Sequence, residues 1–107
     1  MLDFYWHPDE EGPRDSPDEA RHLGSLSLDE HKALACVWRE AEARGVALPF
    51  FRDTRLRAAD VGVLSAARER CSSGLGVDSV SLKALRTLDS ILAGAIERGA
   101  GVSTFCD

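Results

Sequence analysis

The sequence predicts an α+β fold: three main helices packed on a small sheet of two or three strands. A three-helix bundle with extended termini is the alternative. Three observations carry this expectation. Apolar residues recur at helical spacing in three separate stretches of the 107 residues. The N-terminal LDFYW alternates with a period of two. A short phrase (Arg-Gly, five residues, Phe, one residue, Asp) occurs twice, as RGVALPFFRD at 44–53 and RGAGVSTFCD at 98–107. Each copy follows a helical pattern and continues as an extended apolar run.

The length suits one modest core, so residues 1–107 are read as a single domain. A hydrophobic content of 44% argues against general disorder. No apolar run approaches the ~18–20 residues that span a bilayer.

The elements follow in order. Leu2, Phe4 and Trp6 face one way and Asp3 and Tyr5 the other, the pattern of a short strand. Residues 7–24 hold three prolines and two glycines without an apolar period. They read as a loop or mobile acidic arm. A helical turn near Ser16–Arg21 is expected, with Ser16 as N-cap and Pro17 at the first helical position. Ser27 and Glu30 then have the spacing of a capping box. Leu34, Val37, Trp38 and Ala41 form a stripe, and Gly45 stands at the left-handed stop after Arg44, which predicts a helix over 28–44.

Residues 46–51 leave that helix as an extended segment, and Pro49 restricts it to an edge strand or an irregular run. Asp53 and Thr54 suit a turn or cap. A second helix is predicted from Leu56 to about Ser72, with Leu56, Val63, Leu64, Ala67 and Cys71 inward and Asp60 in its first turn. Gly62 weakens it by about 1 kcal/mol relative to Ala. Ser72–Gly76 is a break. Asp78 or Ser79 caps a third helix over 80–98, whose stripe is Leu82, Leu85, Leu88, Ile91/Leu92 and Ala95/Ile96. A last strand over 102–106 follows Gly99. On this reading the repeated phrase marks two helix-to-strand junctions, each with a Phe to bury.

Charge narrows the function classes. Residues 1–30 carry nine acids against Arg14 and Arg21, a formal −7, whereas residues 31–107 sum to +2. Nucleic-acid binding is disfavoured because phosphate neutralisation needs a concentrated basic face. A basic protein surface is the natural complement. The acidic N-terminal stretch lacks the basic start and apolar core of a secretory signal, which predicts a cytoplasmic protein. Arginine outnumbers lysine eleven to two, a bias of GC-rich bacterial genomes.

No chemical motif stands out. His7, His22 and His31 are widely spaced and no two cysteines are close, so neither metal nor cofactor is expected. His7 with Asp9 and Glu10 reads as a solvated loop. Cys36, Cys71 and Cys106, odd in number and far apart, read as reduced packing residues, and their equal spacing as coincidence. The paired carboxylates sit on polar segments where nothing separates their pKa values. An enzyme is therefore not expected.

The densest chemistry is FFRDTRLR at 50–57. It reads as structure, with Phe51 in the core and the arginines paired to acids, as an aromatic-plus-Arg hot spot, or as a nucleotide-stacking site. The preferred function is a cytoplasmic protein-interaction domain, specifically an immunity protein that blocks a basic bacterial toxin. Tyr5, Trp6 and Phe50 would anchor it, Asp9, Glu10, Glu11, Asp18 and Glu19 would steer it, and Arg52 and Arg55 would complete the surface. A small-ligand or nucleotide-binding regulator is the alternative, and a homodimer the third possibility.

Overall fold

The computed structural model describes residues 1–71 and 75–107. Ser72–Gly74, the start of the predicted Ser/Gly break, lie outside the described residues. Strand β1 (Leu2–His7) leads through a 3-10 turn (Glu19–Arg21) to β2 (His22–Leu26). Helices α1 (Leu28–Ala33) and α2 (Ala35–Glu42) follow, then β3 (Thr54–Leu56), α3 (Ala58–Arg70), α4 (Ser79–Glu97) and β4 (Gly101–Cys106). The sheet is antiparallel throughout, in the order β2-β1-β4-β3. The α+β class is as expected, with four strands instead of two or three.

Strand alternation separates two faces. Leu2, Phe4, Leu26, Leu56 and Val102 are buried in the core shared with the helices. Asp3, Tyr5 and His7 project from the opposite face, beside Phe105, Ser103 and Arg55 of the paired strands.

The Ser27 capping box forms as predicted, with Glu30 N to Ser27 Oγ at 3.1 Å and Ser27 N to Glu30 Oε1 at 2.8 Å. The helix it opens is interrupted at Leu34, however. The His31 carbonyl, which Ala35 would engage in a continuous helix, accepts instead from the Leu34 amide and the Trp38 indole.

The 46–51 segment takes the second of its two expected forms: Val46, Leu48 and Phe50 alternate inward as an irregular run that enters the core without joining the sheet. The strand beside β4 is Thr54–Leu56, tied by Thr54 N to Thr104 Oγ1 at 2.9 Å and by Cys106 N to Asp53 Oδ1 at 2.9 Å. Strand β2 falls within and just beyond the predicted loop. Its HLGSL lacks β-branched residues, and Gly24 leaves room for Ile91, whose Cγ1 would lie 3.0 Å from a Cβ there.

Helix α3 begins at Ala58 because Leu56 belongs to β3, and its inward residues are Val61, Leu64 and Ala67. Asp78 caps α4 through the Ser81 amide. The buried face of α4 is Ser81, Ala84, Leu88, Ile91, Leu92 and Ala95, which leaves the predicted Leu82 and Ile96 exposed. Small residues let the backbone approach its neighbours along that face.

The repeated Arg-Gly is one helix stop used twice. Gly45 and Gly99 have φ of +86° and +61°, and Val46 N–Ala41 O and Ala100 N–Ala95 O are both 3.0 Å. This is the Schellman arrangement. The likeness ends there: Phe51, expected in the core, is 73% exposed, and Phe50 is buried in its place.

Cys36 and Cys71 form a disulfide between α2 and the end of α3, Cα–Cα 6.0 Å, which corrects the reading of three reduced thiols. Cys106 is free. Among the described residues no helix is long and apolar enough to cross a membrane.

Candidate functional site

The sheet face turned away from the helices carries polar and aromatic groups that need partners, and residues 8–21 supply them. Arg55 Nη2 donates to the Pro8 and Asp9 carbonyls at 3.1 and 3.2 Å. The Asp9 carboxylate accepts from the Ala58 amide at 2.9 Å, which caps α3 from outside the helix. Glu11 and Arg21 form a two-pronged pair at 2.6 and 2.8 Å, and Asp18 caps the 3-10 turn. The acidic segment is thus a strap fastened across the sheet.

Electrostatics follow from these contacts. The Arg21 hydrogen bonds hold the Glu11 carboxyl down at about 2, and Arg21 itself is raised by the same pair. The Tyr5 phenol is pushed up to about 12, first by burial and then by the Glu19 and Asp3 charges. It therefore remains a neutral donor to Glu19 Oε1, at 3.3 Å. Tyr5 also packs edge-on against His22 and Phe105.

The residues expected to meet a partner now divide. Tyr5 and Phe50 are buried, at 5% and 8% exposure, so neither is a surface anchor. Asp9, Glu11, Glu19 and Arg55 are engaged within the fold. Trp6 is half-buried beneath the Arg21 and Arg98 guanidinium groups, 4.4 and 5.4 Å from its ring centre. Glu10 and Arg52 are exposed, and Asp18 is partly so.

A second surface surrounds Phe51. Its ring packs edge-on against Phe50, which meets His31, and His31 stacks on Trp38 at 4.9 Å. Burial lowers the His31 pKa against the opposing effect of its bond to the Leu48 carbonyl.

Between the strap and the open face lies a cleft of about 160 Å³, with His7 and Ser103 in its lining and Arg14, Thr54 and Arg55 beside them. His7 Nδ1 is 2.5 Å from Ser103 Oγ and Nε2 is 3.0 Å from the Gly12 carbonyl. A carbonyl only accepts, so Nε2 of the neutral ring carries the proton and Nδ1 accepts from the Ser103 hydroxyl. His7 is 2% exposed, which corrects its reading as a solvated loop residue. Ninety-six positions separate the pair, and no local motif announces it. The one sequence signal is alternation in β1, which places His7 on the face of Asp3 and Tyr5.

Among the described residues no cluster of His, Cys, Asp and Glu could hold a metal ion. Comparison with protein-family models, curated proteins and solved structures finds no match to this chain.

Proposed function

We propose that this protein is a small acidic protein-interaction domain, acting in the bacterial cytoplasm as an immunity protein that binds and blocks a basic toxin. The strap is the observation that supports this reading. Arg55 and the Ala58 amide fasten the strap at residues 8–9, and Arg21 pairs with Glu11 and Asp18 further along, so Glu10, Asp15, Asp18 and Glu19 are carried on a tethered acidic segment, which lowers the ordering cost of association. Such an array speeds encounter with a basic surface and fixes register. Exposed Phe51 and half-buried Trp6 take the anchoring role in place of Phe50 and Tyr5.

The test is a tagged pull-down washed at low and then high salt, followed by binding kinetics. One stoichiometric partner loosened by salt is expected. Reversing Glu10 and Asp15, whose side chains brace no element of the fold, slows association and flattens its salt dependence. Unchanged rates remove the strap from the interface.

The cleft favours a second reading, a regulator that binds a small anion, because Arg14 and Arg55 face it. A thermal-shift screen separates the two, since a ligand of the folded state alone raises Tm. Sedimentation separates both from a homodimer.

A further inference from the structure

The cleft holds an arrangement that partner binding does not require. His7 and Ser103 are buried, at 2% and 8% exposure, yet both line the same open cleft. The Gly12 carbonyl fixes the His7 ring, which leaves Nδ1 facing the Ser103 hydroxyl at 2.5 Å. That is the geometry of an activated nucleophile: a hydroxyl, a base within hydrogen-bond reach, and a third group orienting the base. Arg14 and Arg55 outnumber Asp53, the one carboxylate in the cleft's lining, a balance that favours a developing oxyanion, although Arg14 Nε also lies 3.7 Å from Glu11 and Arg55 Nη2 is held by the Pro8 and Asp9 carbonyls. Arg55 Nε is buried without a hydrogen-bond partner. The Asp53 carboxylate beside them is engaged by the Cys106 amide.

We propose that Ser103 is a nucleophile with His7 as its general base, and that the cleft accepts small carboxylic esters. Size sets the class. A cavity of ~150 Å³ accepts benzene, so the 160 Å³ here has room for an acyl group of one ring. Ser103 Oγ adds to the ester carbon as its proton passes to His7 Nδ1. The bond to the alkoxide breaks, the alkoxide leaves with that proton, and an acyl-Ser103 ester remains. Water then adds to the acyl carbon and gives its proton to Nδ1. The acid departs, and Ser103 regains its hydrogen. The inference is independent of the partner-binding reading.

Phenylmethanesulfonyl fluoride is the probe, since its reactive group carries a single ring. Ser103 Oγ bonds to sulfur, fluoride leaves, and the proton passes through His7 to solvent. The full chain is treated with it folded and in urea, and adducts are mapped by peptide mass spectrometry. We expect Ser103 to be modified at least about tenfold faster in the folded chain. His7→Gln lowers that rate by about a hundredfold, the scale of general-base assistance, with circular dichroism unchanged. Ser103→Ala removes the adduct. Absence of a Ser103 adduct in the folded chain, or equal rates folded and in urea, overturns the proposal whether or not the variants fold. A folded His7→Gln protein labelled at the native rate overturns the role of His7.

Discussion

The carboxylate of Asp9 accepts a hydrogen bond from the amide of Ala58 across 49 positions of sequence. A helix whose preceding residue is arginine receives its side-chain cap from a strap on the far side of the sheet. Asp9→Ala removes that cap together with a favourable charge at the α3 N-terminus, and costs about 1 kcal/mol. Urea unfolding monitored by circular dichroism measures it. Asp9→Asn, which keeps an acceptor, loses less.

The Glu11–Arg21 pair makes stability acid-sensitive. Glu11 titrates near 2 in the folded chain and near 4.5 when unfolded. The folded state therefore binds fewer protons in that window, and the contribution, present above pH 4.5, is lost as the pH falls towards 2. Glu11→Gln flattens the pH dependence of Tm across this range. Wild-type and variant curves of the same slope would contradict the pairing.

Tyr5 acts at the opposite end of the scale. Its folded value near 12 lies above the ordinary 10.0, so the neutral phenol supports the fold below pH 10 and that support is lost as the pH rises towards 12. Tyr5 is the one tyrosine in the chain, and tyrosinate absorbance reports it alone. Half-titration well above pH 10 is expected in the native protein, returning to about 10 in urea.

The Cys36–Cys71 bond closes a separation of 35 residues. Constraint of the unfolded chain by a loop of that size is worth about 4 kcal/mol. Double replacement by alanine lowers Tm accordingly. Thiol titration of the denatured protein yields one group before reduction and three after. The same titration on protein quenched directly from cells tests the proposed compartment, because such bonds persist chiefly in oxidising surroundings.

Two glycines predict opposite signs. Gly45, at φ +86°, resists a Cβ, and Gly45→Ala costs about 1 kcal/mol despite the open space around it. Gly62 lies inside α3, where a Cβ would have nothing within 4 Å, and Gly62→Ala gains up to about 1 kcal/mol. Thermal denaturation of the pair distinguishes helix stop from helix interior.

Local chemistry made several elements legible. Ser27 with Glu30, Asp78 before Ser79, and Gly45 and Gly99 all act within a few residues of themselves, and each stands where spacing placed it. What escaped the sequence depends on distant partners. Trp38 reaches back to the His31 carbonyl and splits a helix that periodicity drew as one. Asp53 engages the Cys106 amide and helps draw 54–56, rather than 46–51, into the sheet. Phe50 and Phe51 are the same residue type side by side, and a turn decides which is buried. The candidate site escaped for the same reason: His7 and Ser103 become neighbours only when β1 and β4 pair.

That pairing sets a timetable. Leu2 lies opposite Cys106, and the Asp107 amide reaches the Met1 carbonyl at 3.0 Å. During synthesis β1 has β2 available early, whereas its other edge waits until residues 101–106 emerge. The helices can form before that moment and the completed sheet cannot. The seams of β4 with β1 and with β3 both wait for that moment, and His7 meets Ser103 along the first.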